Sequence, residues 1–154
     1  MIVAPDVTRA LVEAELAELE PWRQARGWPL DWDPSRLVLT ATLRSAVDGE
    51  EYVLEFLLDG YRAQPPLIEF VHRDSGERGM RRCYPDGGRG YFHNLPVLCA
   101  PWNRRAYAVH GGPHGDWNMS QWAMLRPNHA RLGDMLVLLQ ELLDDRASYT
   151  GRKV

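Results

Sequence analysis

Tyr61-Arg62-Ala63-Gln64-Pro65-Pro66-Leu67-Ile68-Glu69-Phe70 is the stretch that decides how this chain folds. A strand-like run ends just before it, at Asp59-Gly60. Proline cannot donate to a β-ladder, so Pro65-Pro66 holds the crossing between two strands rigid. A short apolar strand follows, then a long Gly- and Arg-rich loop. That loop delivers one cysteine in an apolar setting, Pro96-Val97-Leu98-Cys99-Ala100. Whether that thiol is a nucleophile or a small buried hydrophobe decides what the protein does.

Upstream of this stretch, residues 6–20 read as a helix. Leu11, Val12, Leu16 and Leu19 recur near helical spacing among glutamates, and Pro21 ends or kinks the helix. Trp28, Leu30 and Trp32 alternate as a short strand would. Arg36 to Arg44 alternates strongly, with Leu37, Leu39, Ala41 and Leu43 on one face. Asp48-Gly49 is a hairpin signal. Tyr52 to Leu58 returns, and Leu67 to His72 is the next strand. The pattern predicts an N-terminal helix followed by a four-strand antiparallel meander.

Downstream, periodicity is lost from Arg73 to about Asn118, a segment with 8 of the 13 glycines. An irregular stretch of that length inside a compact domain is usually either functional or a set of elements the pattern fails to show. Asn128 can then cap a helix with an apolar stripe of Leu132, Met135, Leu136, Leu139, Leu142 and Leu143. The expected organisation is α+β, with one domain over residues 1–145 and a loose polar tail over 146–154.

The chain has 154 residues, 45% hydrophobic and 25% charged, which suits one soluble domain with one core. No apolar run approaches the roughly 18 residues a membrane span needs, and the N-terminus lacks a signal-peptide pattern. Two cysteines make no disulfide framework, so a reducing cytoplasm is expected. A net charge of -3 gives no general reason to expect nucleic acid. The strong bases are 17 Arg and a single Lys, Lys153.

The order of elements, with Tyr61, Pro65-Pro66, Phe70, Leu98-Cys99, Trp117 or Trp122 and a helix near 129–144, resembles the core of the ubiquitin-conjugating enzymes. The resemblance covers roughly residues 6–145. It implies a UBC-like fold with a long active-site loop. It also implies a transferase that takes a ubiquitin-like protein from an activating enzyme onto Cys99 as a thioester and passes it to an amine on a target protein. No cofactor and no resident metal is implied. The family's His-Pro-Asn tripeptide is absent, and its nearest counterpart is His93-Asn94. The loops around Cys99 are expanded and the final family helices are missing. These departures resemble divergent bacterial members encoded beside an activating enzyme, a ubiquitin-like protein and a deconjugating peptidase, often in antiphage operons.

Sulfur suits acyl transfer because the thiolate attacks well and the thioester stays reactive. Cys99 is therefore the expected nucleophile. Cys83, in Arg81-Arg82-Cys83-Tyr84, has cationic neighbours that favour a thiolate but sits early, in a polar setting. His93 and Asn94 are candidates to hold the loop or to donate to an oxyanion, and the resemblance assigns the family's asparagine to Asn94. His110, His114 and Asp116 could position or deprotonate an incoming amine. A zinc site of His110 and His114 with the two cysteines matches no standard ligand spacing. Arg78, Arg81, Arg82, Arg89, Arg104 and Arg105 could form a basic rim that steers an acidic ubiquitin-like partner. Trp102, Trp117 and Trp122 read as core or loop anchors. The rival readings are a catalytically inactive adaptor of the same fold and a small zinc hydrolase.

Overall fold

The computed structural model describes residues 3–92, 94–109 and 117–154. Helix α1 spans Pro5–Arg26 and therefore runs past Pro21. Pro21 and Ala17 are both exposed, so the carbonyl that loses its i+4 donor faces water. The last turn is held by a Glu20–Arg23 ion pair of 2.6 Å. Gly27, at φ 70°, closes the helix with its N–H on the Arg23 carbonyl. The buried positions Thr8, Val12, Glu15 and Leu19 lie on one face.

Four strands follow: β1 (Leu30–Asp33), β2 (Val38–Arg44), β3 (Glu51–Leu57) and β4 (Leu67–Val71). They form one antiparallel sheet in the order β1-β2-β3-β4. The alternation in the sequence sets its inner face. Leu39, Phe56 and Ile68 are aligned across three strands, as are Ala41, Leu54 and Phe70, and all six are fully buried. The outer face carries Thr40, Glu55 and Glu69 in register.

Helix α4 (Leu132–Asp144) packs on α1 and the sheet through Leu132, Met135, Leu136, Leu139, Leu142 and Leu143. Before it come β5 (Pro85–Gly87), α2 (Arg104–Val109) and the single turn α3 (Trp122–Leu125). The expected N-terminal helix, four-strand antiparallel sheet and C-terminal helix are thus all present. Among the described residues no helix is long and apolar enough to cross a membrane.

Two expectations fail. Asn128 does not cap α4; it lies in a short 3-10 turn, Pro127–His129. The cap comes from another helix, because Glu15 of α1 accepts the Leu132 N–H at 2.8 Å and brings negative charge to the positive end of α4. The tail is not loose either. Tyr149–Arg152 is β6, paired antiparallel with β5. A Cβ on Gly87 would overlap the Ser148 carbonyl, so only glycine allows this approach. The Tyr149 hydroxyl is 2.6 Å from that of Tyr52 and donates to Asp48 at 2.8 Å. Polar composition misled here because the tail is anchored by specific hydrogen bonds and by one buried ring, Tyr149, rather than by a periodic apolar face.

Candidate active site around Cys99

Phe92 and Leu98 fold the stretch containing Cys99 back on itself. Phe92 bridges Gly87 on one side and Leu98 on the other. The Cys99 N–H donates to the Tyr91 carbonyl at 2.7 Å. Leu98 and Ala100, the neighbours of Cys99, are fully buried, and Cys99 itself is half-buried. Apolar flanks pull the segment into the core and leave the thiol near the surface. The apolar setting that marked Cys99 in the sequence therefore has a structural meaning.

Asn103 fixes this segment to the sheet. It is fully buried. Its Nδ2 donates to the Leu98 carbonyl at 2.8 Å, and its Oδ1 accepts the Ile68 N–H of β4 at 2.8 Å. The same oxygen accepts the Arg105 N–H at 3.1 Å, in the manner of a helix cap for α2. Next to it, the Arg104 N–H donates to the Pro66 carbonyl at 2.8 Å. The double-proline crossing is thereby tied to the residues just after Cys99. Asn103 was not foreseen. The available signal was an Asn immediately before Arg104–Val109, which is where a capping side chain belongs.

A second buried anchor lies at the other end of the crossing. The Tyr61 hydroxyl, fully buried, donates to Glu15 Oε1 at 2.8 Å. Arg62 is 3.8 Å from the other Glu15 oxygen and donates to the Ala130 carbonyl at 3.2 Å. Burial and the adjacent carboxylate both push the Tyr61 hydroxyl far above its ordinary value, so it stays a donor at any working pH. Tyr61 marks the crossing because it joins α1 to the start of α4.

The two thiols differ in access. Cys83 is 7% exposed, and burial pushes its thiol up despite Arg152 and Arg82 nearby. Cys99 is more open, but burial also raises its thiol above the ordinary 9.0. Access favours Cys99, whereas neither environment lowers a thiol.

Asn94 is exposed on the loop that leads to Cys99, and its carbonyl accepts from Arg81 Nη1. His93, His110, His114 and Asp116 lie outside the described residues. Among the described residues no group of three or more His, Cys, Asp or Glu is placed to hold a metal ion.

Four of the six arginines, Arg78, Arg89, Arg104 and Arg105, are paired with acids, whereas Arg81 binds backbone oxygens and Arg82 is exposed. Arg78 pairs with Glu55 at 2.9 Å and lies 3.9 Å from Glu69, while Arg105 is 3.4 Å from Glu69. Arg104 pairs with Asp59 at 2.7 Å, and Arg89 with Asp145 at 3.2 Å. Arg81 binds the Asn94 and Val154 carbonyls. The partners are acids and carbonyls distant in sequence, which a local count of charge cannot see.

Lys153 was expected in a mobile tail. Its side chain is 0% exposed; Nζ is 2.6 Å from Asp86 Oδ1 and donates to the Phe92 carbonyl at 3.4 Å. The only lysine thus braces the turn that carries Cys99. No protein-family model matches the sequence, and no curated protein matches it.

Proposed function

We propose that the chain is a ubiquitin-conjugating-like transferase with a UBC-like fold and that Cys99 is its nucleophile. The observation that carries this reading is the placement of Cys99. The thiol is half-buried between two fully buried residues, after an α1–meander–double-proline order and before the closing helix. Asn103 and the Pro66 carbonyl join the same segment to β4.

In this mechanism the Cys99 thiolate attacks the thioester carbonyl of a ubiquitin-like protein held by its activating enzyme. The activating enzyme's thiol leaves and a new thioester forms on Cys99. A target amine then attacks, loses a proton, forms an amide and releases the Cys99 thiol. The backbone anchoring of Leu98 and Cys99 keeps the sulfur in one place for both steps. The work fits a reducing bacterial cytoplasm, with an antiphage conjugation system as its setting.

The raised Cys99 thiol favours a second reading, an inactive adaptor that binds a ubiquitin-like protein without covalent transfer. One experiment separates them. The chain is mixed with ATP and with any activating enzyme and ubiquitin-like protein that its genomic neighbourhood is found to encode. The expected result is a gel shift removed by thiol, turned thiol-resistant in Cys99→Ser, absent in Cys99→Ala and unchanged in Cys83→Ala. Retention of the shift in Cys99→Ala would overturn the assignment of the sulfur. Binding with no covalent product in any variant would establish the adaptor.

A further inference from the structure

The two long helices leave an open cleft of about 380 Å³ on the side of α1 that faces α4, made independently of the Cys99 region. Leu19 and Leu138 are buried at its base, with Val137 beside them. Gly133 lets the helices approach there, since a Cβ at that position would come within 3.2 Å of the Leu19 Cβ. Trp22 stands at the lip and is 53% exposed, an unusual outlay of apolar area for a tryptophan next to an apolar floor.

The rim is acidic. Glu18, Asp134 and Glu141 line it against one arginine, Arg131. That arginine is already committed to Glu18 at 2.7 Å. Among the described residues neither Asp134 nor Glu141 belongs to an ion pair. Glu15, at the inner end, is 5% exposed, and its Oε2 has no hydrogen-bond partner among the described residues. His129, which also lines the cleft, packs its ring against the edge of Trp102. The cleft therefore couples an apolar floor and an exposed indole to two carboxylates outside any close ion pair among the described residues, Glu141 and an Asp134 that feels Arg131 and His129 only at longer range.

We propose that this α1–α4 cleft is a docking site for a basic segment of a partner protein, one apolar side chain entering against Leu19, Val137 and Leu138 and flanking Lys or Arg meeting Asp134 and Glu141. An indole beside carboxylates is a favourable setting for a guanidinium or ammonium. The same carboxylates repel phosphate, which disfavours an anionic membrane or a nucleic acid as the occupant. Complementary charge of this kind gives specificity and a salt-dependent association.

The test uses the full chain and a displayed library of random peptides of about 16 residues, roughly four helical turns. Selected peptides are expected to carry Lys or Arg beside Leu, Phe or Trp. Their binding should perturb amide resonances of Trp22, Val137 and Glu141 and weaken as salt rises. Trp22→Ala and Glu141→Lys change exposed side chains, so both should stay folded by near-ultraviolet circular dichroism, and each should weaken binding about tenfold, the scale of one lost anchor. The proposal is overturned if no peptide is enriched, if enriched peptides are acidic or uncharged, or if both variants bind as the parent does. It is overturned equally if phosphatidylserine vesicles, rather than peptides, retain the chain through Trp22. None of these readouts depends on Cys99.

Discussion

Asn103→Ala removes one side chain and leaves two buried backbone groups without partners. The Ile68 N–H loses its acceptor at 2.8 Å, and the Leu98 carbonyl loses its donor at 2.8 Å. Both residues are fully buried, so water cannot simply replace the amide. The Arg105 N–H, at 3.1 Å, is part-buried and loses less. A buried group left unsatisfied costs about 1–3 kcal/mol, so two of them set the expected loss at roughly 3–4 kcal/mol. With a urea slope of about 2 kcal/mol per molar for a domain of this size, the midpoint should fall by about 1.5–2 M. Asn103→Asp is the informative companion. It keeps the bond accepted from Ile68 and replaces the donor to Leu98 by an oxygen facing an oxygen, so it should still destabilise strongly. Alkylation of Cys99 by iodoacetamide, in a Cys83→Ala background, should speed up in both variants as the Leu98–Cys99 segment loosens. A midpoint shift below about 0.5 M in Asn103→Ala, with Cys99 reactivity unchanged, would refute the clamp, because such a shift is worth only about 1 kcal/mol.

Burial raises both thiols, so the alkylation rate of Cys99 should rise with pH to a midpoint above 9.0, and Cys83, which is less accessible, should react more slowly; a Cys99 midpoint below neutrality would show that a cationic group, not burial, governs the site. The buried Lys153 amine should resist acylation by an activated ester in the folded chain and should carry no self-conjugate in a reconstituted transfer; mass spectrometry that finds Lys153 modified before unfolding would contradict its place against Asp86. Lys153 holds the Asp86 carboxyl below its ordinary 3.8, so this contribution is complete above that pH and is lost as pH falls through the lower folded-state value. Asp86→Asn should therefore be less stable than the parent at pH 7 and converge with it in acid, and a gap that persists at the lowest pH would assign the loss to packing instead.

The sheet was legible because its signal is local. Strict alternation from Arg36 to Arg44, the Asp48-Gly49 turn and the return from Tyr52 determine pairing register without distant information, and Leu39, Phe56 and Ile68 follow from it. The leucine stripe of α4 was legible for the same reason. What stayed hidden is the long-range polar wiring. Glu15 looks like one of several solvent-facing glutamates on an acidic helix, yet it takes the Tyr61 hydroxyl and the Leu132 N–H. The tail looks loose by composition, yet Tyr149 and Lys153 are fixed by Tyr52, Asp48 and Asp86. No periodicity encodes a hydrogen bond between residues 46 or more positions apart.

That division bears on the nucleophile. The apolar flanks Leu98 and Ala100 could be read from the sequence as the mark of a buried cysteine, and burial of the flanks is what the structure has. Cys99 itself is half-buried, and its segment is held both by the packing of Leu98 and Ala100 and by backbone bonds: Cys99 to Tyr91, Leu98 to Asn103 and Arg104 to Pro66. Buried backbone groups need partners whatever the side chain does, so these bonds fix the segment without deciding the role of its thiol. A buried asparagine, the double-proline crossing and, through the Phe92 carbonyl, the single lysine fix the backbone around this half-buried thiol. The Tyr91, Asn103 and Pro66 bonds therefore hold the Leu98–Cys99 segment in one conformation, which the proposed transfer would use and which Asn103→Ala is expected to relax.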